Sequence, residues 1–160
     1  MAAGTWKVYA KAKKYIGVGT IVLTGVFKLA LLNKSASAAV LVLSTRSTYA
    51  SLSAFKISKT GLESSTHVYG KSLAGIKFTV GTSAKQYKFY HSTPLVWTAS
   101  GAQIGVSAKK GPKYAVIRNS TSAKGGRLLC FCTLSTTGFV VTSGNTLTIT
   151  AAATGVFTLA

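Results

Sequence analysis

The side chains that could support chemistry are two cysteines, two histidines and a single acid, Glu63. Cys130 and Cys132 occupy alternate positions in "LLCFCTL", so on a β-strand they lie on the same face, about 7 Å apart. That spacing is outside comfortable disulfide geometry and predicts a pair of buried thiols. A metal site would need His67 and His91 as further ligands, and neither has the spacing of a zinc site. We therefore expect no metal and no other cofactor.

The scarcity of acids argues against most enzymatic mechanisms. Acid–base pairs, triads with an orienting carboxylate, and magnesium or calcium sites all use Asp or Glu. The chain has no Asp and one Glu, and it lacks both the GxGxxG pattern and a phosphate-binding loop that ends in Gly-Lys-Ser/Thr. The two glycines of "YIGVGTI" instead indicate a helix end that leads into a strand. These residue types favour a protein without enzymatic activity.

Positive charge dominates the composition. Lys and Arg together number 19 against one acid, so the net charge is +18 and the isoelectric point is near 10.3. Apolar residues make up 48%, which is enough for the chain to fold rather than stay disordered. The length of 160 residues suits one domain with its own core. No apolar run reaches the roughly 18 residues that a transmembrane helix needs, and we expect no signal peptide.

Two groups of lysines are candidates for contact with an acidic partner. The first lies in "WKVYAKAKKYIG", where the spacing predicts a short helix over residues 6–16 that Gly17 stops. Its lysines on one face are Lys7, Lys11 and Lys14. The second group lies in the loop "SAKKGPK" and comprises Lys109, Lys110 and Lys113. In the alternative interpretation, Trp6, Tyr9 and Ile16 only clamp the helix onto a sheet, and its lysines stay in water.

After Gly17 the pattern changes to that of strands. Apolar runs and period-two alternation are bounded by Gly, Ser, Thr and Asn, at the spacing of nine or ten short strands. This predicts an all-β fold, an antiparallel β-sandwich or jelly-roll-like domain with one short N-terminal helix. We expect a single domain over residues 1–160, with the basic helix in 1–17 and the sandwich in 18–160.

Several local features of this domain can also be predicted. The segment "TIVLTGVFKLALL" holds two candidate strands broken at Gly25, and "AAVLVLS" supplies another. Residues 45–72 are polar and predict a long connection with one helical turn near residues 49–52. The Gly-Asn pair in "VVTSGNTLTIT" predicts a hairpin. Further strands are predicted in "GIKFTV", "QYKFYH", "PLVWTA", "YAVIRN", "RLLCFCTLS" and "VFTLA".

Both ends of the chain resemble a group of tailed-bacteriophage virion proteins. "KAKKYIGVGTIVLTGVFKLALL" is similar to their opening, with a Lys/Ala-rich helix, a Gly-x-Gly-x-Ile step and a strand that ends in "FKLAL". "GGRLLCFCTLSTTGFVVTSGNTLTITAAATGVFTL" is similar to their closing segment of consecutive hairpins. Residues 45–110 have no counterpart in this resemblance. It implies a particle component in the virion capsid, made in the host cytoplasm, with no catalytic residues; the near absence of acids departs from the group.

The charge and the resemblance together favour a capsid decoration or cement protein that binds an acidic surface of the major capsid protein. A tail or head-to-tail joining protein is the alternative within the same particle, and copy number separates the two. Nucleic-acid binding is a third possibility, but arginine is scarce and the lysines are scattered along the chain. Attachment of the helix to an acidic glycan or anionic lipid is a further alternative, but the apolar face of the helix is short, and we expect no membrane partner.

Residues 85–90 have the pattern of a stacking face for nucleic acid, with aromatic residues among lysines. There, Tyr87, Phe89 and Tyr90 lie among Lys85 and Lys88. Alternate core packing explains these aromatic residues equally well.

The C-terminal segment from Leu128 to Ala160 contains no charged residue. Strand edges without charge invite pairing with another chain, so we expect a homo-oligomer whose contacts draw on this segment. A trimer is favoured over a dimer because threefold sites are common in icosahedral shells. The predicted interface residues are Thr146, Thr148 and Thr158. In the alternative interpretation, the segment simply supplies the central strands of the core.

Overall fold

The computed structural model describes residues 5–37, 46–80, 87–105, 110–119, 125–151 and 156–159. Within them the chain forms one α-helix and ten β-strands, and every strand pairing is antiparallel. This confirms the predicted all-β class with a short N-terminal helix. The elements are β1 (Lys7–Val8), α1 (Ala10–Gly17), β2 (Phe27–Asn33), β3 (Lys71–Ser72), β4 (Ile76–Val80), β5 (Tyr87–His91), β6 (Leu95–Thr98), β7 (Pro112–Asn119), β8 (Arg127–Thr133), β9 (Thr146–Ile149) and β10 (Phe157–Leu159). Short 3₁₀ helices lie at Lys34–Ala36, Tyr49–Phe55 and Ser65–Tyr69.

The largest sheet has five strands in the order β1-β8-β7-β2-β3. Its central strands carry continuous apolar runs, and four consecutive residues of β2, "LALL", are all buried. Runs of this kind occur where both faces of a sheet are covered, whereas a sheet with one wet face shows alternation.

Each face of this sheet packs against a different layer. Residues that lie opposite each other on paired strands point to the same face. On one face, the Phe27 ring of β2 contacts Phe89 of β5 with 5.4 Å between ring centroids. Lys28 and its partner Arg118 point to the other face, where the Arg118 guanidinium lies 4.4 Å from the ring centroid of Tyr49. The five-stranded sheet is therefore sandwiched between the sheet that contains β5 and a 3₁₀ helix.

Two smaller sheets complete the fold. One has the order β10-β5-β4, and in it Phe78 lies opposite Phe89 with 6.0 Å between ring centroids. The other consists of β6 and β9, and its inner residues Leu95, Trp97 and Ile149 are buried. All these buried side chains belong to one hydrophobic cluster, so the sheets share a single core.

Arg118 is a charged residue of this core, with no exposed surface. Its guanidinium donates to the carbonyl oxygens of Tyr69, at 2.9 Å, and Gly125, and it lies on the Tyr49 ring. Burial raises the pKa of the Tyr49 phenol to about 12, although the charge of Arg118 opposes that shift. Carbonyl groups and an aromatic face therefore compensate for the water that this cation loses.

The N-terminal helix begins later than its sequence pattern predicts. Residues 7 and 8 form β1, which pairs with β8, and the Tyr9 amide donates to the Leu129 carbonyl at 3.1 Å. The Tyr9 ring also packs on Phe131, with 5.2 Å between centroids. Pairing with the edge of β8 outweighs the local helical spacing, so α1 starts at Ala10. It ends at Gly17, as predicted.

Two strand predictions are wrong, because bonds to other parts of the chain replace the predicted strand pairing. Residues 20–24 form turns rather than a strand, so "TIVLTGVFKLALL" contains one strand, β2. The predicted hairpin does turn at Gly144, but Val141 bridges to Ile104 and β9 pairs with β6. The turn itself is held by Ala99, whose carbonyl accepts from the Gly144 amide at 2.8 Å. The predicted strand "AAVLVLS" lies outside the described residues.

Residues 45–72 hold more structure than the predicted single helical turn. The described part contains two 3₁₀ helices and the short strand β3. Gly70 connects the second helix to β3 with φ of +102°, and a β-carbon there would lie 2.6 Å from the Leu29 carbonyl oxygen. This close approach places Lys71 beside β2.

Candidate binding surface

The first group of predicted lysines is exposed but does not lie on one helix face. Lys11 and Lys14 are exposed on α1. Lys7 is also exposed, but it belongs to β1 and lies opposite Phe131 of β8. The prediction of a single helical stripe is therefore wrong for Lys7, because β1 forms in place of the first helical turn.

The second group is only partly described. Lys109 lies outside the described residues, and Lys110 is exposed. Lys113 is half-buried on β7, where its Nζ lies 5.4 Å from the Tyr114 ring centroid and 3.5 Å from Ser37 Oγ. Its ammonium group thus has neighbours within the protein, which makes Lys113 a weaker candidate for partner contact than Lys110.

A short apolar loop follows α1 and includes residues 20–24, for which the sequence pattern predicts a strand. We call residues 18–26 the valine loop. Among the described residues, four large apolar side chains are exposed, and three of them, Val18, Val22 and Val26, lie in this loop at 64%, 57% and 47% exposure. Ile21 of the same loop is buried and anchors it. In the sequence, Val18, Val22 and Val26 recur at every fourth residue close to glycines, and the apolar stretch that contains them also suits a strand.

The single acid, Glu63, lies at the edge of the β6–β9 sheet. Its Oε1 accepts from Lys71 Nζ and lies 3.2 Å from His67 Nδ1. Its Oε2 accepts from the Thr98 amide of β6 at 3.1 Å. Lys71 Nζ also donates to the Val96 carbonyl of β6. Glu63 and Lys71 together therefore bond the outer edge of β6, as a neighbouring strand would.

The charged groups of this cluster shift one another's pKa. Burial would raise the pKa of Glu63, but the hydrogen bond and charge of Lys71, together with a backbone hydrogen bond and the charge of His67, outweigh it, so the pKa is lowered. Burial and the charge of Lys71 lower the pKa of His67, despite the opposing effect of Glu63. We call Glu63, His67 and Lys71 the edge cluster. The cluster was not predicted from the sequence, although the spacing of four residues between its members and the uniqueness of Glu63 are signals.

The arginines are engaged within the protein. Arg118 is in the core, Arg46 Nη1 donates to the Ser51 carbonyl at 3.3 Å, and the Arg127 guanidinium lies 4.6 Å from the Tyr15 ring centroid. Arginine is the preferred residue for bidentate contacts to phosphate and guanine. Their use in internal contacts weighs against sequence-specific nucleic-acid binding.

The predicted stacking face for nucleic acid loses one of its aromatic residues to the core. Phe89 is fully buried between Phe27 and Phe78, so alternate core packing is the correct interpretation for this residue. Tyr90 and Lys88 are half-buried. Lys85 lies outside the described residues.

The uncharged C-terminal segment is divided among three sheets rather than forming one surface. β8 is buried between β1 and β7, so for this strand the core interpretation is correct. Thr146 and Thr148 are exposed on β9, where Thr148 lies opposite Val96, which is 39% exposed. Thr158 lies on β10 in a different sheet, opposite Lys88. Thr146 and Thr148 therefore share an uncharged face, while Thr158 belongs to another strand pair.

The two cysteines are free and fully buried, which confirms the predicted thiol pair. Burial raises the pKa of Cys132 to about 12 and that of Cys130 well above its ordinary value. Both thiols therefore stay protonated at neutral pH, and neither is a ready nucleophile.

In the part of the chain that the structure describes, no cluster of three His, Cys, Asp or Glu residues could hold a metal ion. None of the helices there is both long and apolar enough to span a membrane. Comparisons of the chain with protein-family models, curated proteins and solved structures found no match.

Proposed function

We propose that this chain is a non-enzymatic structural protein of a tailed-bacteriophage particle, a capsid decoration or cement protein that binds an acidic coat surface. The observation that carries the proposal is the distribution of charge. The only carboxylate side chain is bonded to Lys71 and Thr98 and lies 3.2 Å from His67 Nδ1. In contrast, Lys7, Lys11 and Lys14 are exposed. A surface with this charge attracts a negatively charged partner over distances of about a Debye length.

The phage particle enters the proposal through the resemblance of the two ends of the chain. The antiparallel fold and the surface lysines are compatible with a protein that attaches in many copies. Multivalent attachment turns weak ionic contacts into firm ones. A tail or head-to-tail joining protein remains the alternative, and the number of copies per particle distinguishes it.

The test uses phage particles from a genome that carries this gene and from the same genome with the gene deleted. Purified protein is added to the deleted particles, and its release is measured as salt is raised. A Lys7→Gln, Lys11→Gln, Lys14→Gln variant should be released at lower salt than the wild type, because exposed ionic contacts weaken with screening.

The matched control replaces Lys59 and Lys77, two exposed lysines outside both predicted groups, by Gln. It is compared with a Lys11→Gln, Lys14→Gln variant, which changes the net charge by the same amount. Release of both variants at the same salt would show that only net charge matters. Failure of the wild type to bind, together with tight binding to double-stranded DNA at physiological salt, would replace the proposal with nucleic-acid binding.

A further inference from the structure

The valine loop is an unusual concentration of exposed apolar surface. Isolated apolar side chains are common on protein surfaces, but a group of them marks a contact site. Three of the four exposed large apolar side chains in the described residues fall within these nine residues. Valine is stiff at χ1, so the loop presents a shape with little side-chain entropy to lose.

Hydrogen bonds at both ends hold the loop in place. The Val18 amide donates to the Lys14 carbonyl at 3.0 Å, and the Ile21 amide donates to the Tyr15 carbonyl at 3.0 Å. At the other end, Asn119 Nδ2 donates to the Val26 carbonyl at 3.3 Å. The buried side chain of Ile21 adds a fixed apolar contact. A loop whose backbone is fixed by hydrogen bonds at both ends therefore holds the exposed valines.

Positive charges flank the loop. Lys13 and Lys14 are exposed on α1, about one helical turn before Val18. Arg127 stacks on Tyr15 at one end of the loop and lies opposite Asn119, which bonds the other end. Since Glu63 is the only acidic side chain in the chain and is bonded to Lys71, the charges around the loop need an external counterion.

We infer that the valine loop and the adjoining lysines Lys13 and Lys14 form the contact site for a protein surface with a shallow apolar depression bordered by Asp and Glu. This inference rests on the proposed function, in which the acidic coat is the partner. The arrangement matches the usual anatomy of protein interfaces, with an apolar centre and a charged rim. A protein fits better than a bilayer because the exposed apolar groups are valines, whereas membrane-interface anchors are typically Trp, Tyr, Phe or Leu.

The first experiment tests whether the site binds through both charge and apolar contact. The probes are a carboxylate resin and a resin that carries the same carboxylate with an attached butyl group. A Val18→Thr, Val22→Thr, Val26→Thr variant keeps the side-chain shape and the charge. It should elute with the wild type from the carboxylate resin but at clearly lower salt from the butyl-carboxylate resin. An Ala54→Ser, Ala74→Ser variant, at two exposed alanines outside the loop and outside the β6–β9 face, is the control and should elute with the wild type from both. Equal elution of all three proteins from both resins would overturn the inference.

The second experiment uses the gene-deleted particles. At high salt, where screening removes most of the ionic contribution, the triple threonine variant should bind roughly tenfold more weakly than the wild type, since partial burial of three valines is lost. An unchanged thermal midpoint would show that the variant is folded. Equal affinity of a folded variant would overturn the inference while leaving the proposed function intact. Loss of particle binding by the wild type itself would overturn the proposed function, and the resins would then decide the inference alone.

The third experiment addresses a membrane as the partner. Phosphatidylcholine vesicles with and without phosphatidylglycerol are sedimented with the wild type and the triple threonine variant. We expect little binding that depends on the valines. Strong binding to the anionic vesicles that the variant loses would overturn the choice of a protein partner.

Discussion

Glu63 and Lys71 take the place of a missing strand beside β6. Successive residues of a strand direct their amide and carbonyl groups to opposite edges. The Ala99 amide bonds toward the β9 side, to Asn145, so the groups of Val96 and Thr98 point to the outer edge. Left open, this edge would be a template for pairing with another chain. The edge cluster closes it with side chains.

We predict that Glu63→Gln and Lys71→Gln each lower the free energy of unfolding by about 1 kcal/mol, because charge-assisted bonds are lost at a site that water partly screens. The two substitutions change the net charge in opposite directions. An effect of net charge alone would therefore give opposite signs. Lys59→Gln, on an exposed lysine outside the cluster, is the control and should not destabilise. Chemical denaturation measures all three, and destabilisation by only one member of the pair would contradict the edge cluster.

The edge cluster also predicts how stability depends on pH. The pKa of His67 is lowered in the folded state, as is that of the buried His91, so the unfolded chain binds more protons once the pH falls below about 6.5. The pKa of Glu63 is lowered too, so its contribution is present above the ordinary carboxyl value of 4.5 and is lost as pH falls through the folded-state value. We expect the thermal midpoint to fall in two steps on acidification. Glu63→Gln should retain the step near neutral pH and lose the acidic one. A variant with both steps unchanged would disprove the assignment.

Most strands could be predicted from the sequence because the pattern of apolar and polar side chains along them indicates which residues are buried. β2, β7 and β8 are continuous apolar runs, and Lys77 and Lys88 alternate with Phe78 and Phe89 across β4 and β5. The predictions failed where a distant partner decided the outcome. Trp6 to Tyr9 has helical spacing but lies at the edge of β8, and the turn at Gly144 bonds to Ala99.

The candidate surface was predictable only in its charges. Lysine positions can be read from the sequence, but the exposure of Val18, Val22 and Val26 depends on a loop that bonds to Tyr15 and Asn119. Local apolar pattern alone favours a strand there. The edge cluster likewise depends on β6 coming to lie beside residues 61–71, which is a matter of topology.

The tight packing of the valine loop at Gly25, compared with the open space at Gly17, predicts different effects of alanine at these two positions. A β-carbon at Gly25 would lie 2.9 Å from the Val22 carbonyl oxygen and 3.0 Å from Asn119 Nδ2, while one at Gly17 would meet nothing within 4 Å. Gly25→Ala should therefore lower the free energy of unfolding by about 1–2 kcal/mol through overpacking. Gly17→Ala, at the last position of α1, should be neutral or stabilising by up to about 1 kcal/mol because alanine favours the helix. Denaturant unfolding of the two variants is the measurement, and equal effects would show that the loop is not packed as described.

The net charge of +18 sets the conditions under which copies of this chain can meet. Charges of one sign repel one another within a chain and between chains, and screening by salt relieves both. Self-association must therefore use a surface with few charges. On β6 and β9, Val96, Thr146 and Thr148 form such a face.

We therefore predict that the chain forms a homo-oligomer through the outer face of β6 and β9, and that the oligomer becomes more populated as salt is raised. Raising the ionic strength from about 0.01 M to about 1 M shortens the Debye length from about 30 Å to about 3 Å, which removes most of the repulsion while apolar contacts persist. Thr148→Lys places a charge beside Val96 and should keep the protein monomeric at every salt concentration without unfolding it. Thr136→Lys adds the same charge at an exposed position outside this face, and should associate like the wild type. Sedimentation equilibrium reads the mass of all three proteins, with a trimer expected for the wild type. If both lysine variants associate equally, the contacts lie elsewhere. A wild type that stays monomeric at high salt would mean that the uncharged face meets only solvent, and that any ordered array of this protein on a particle is imposed by its partner.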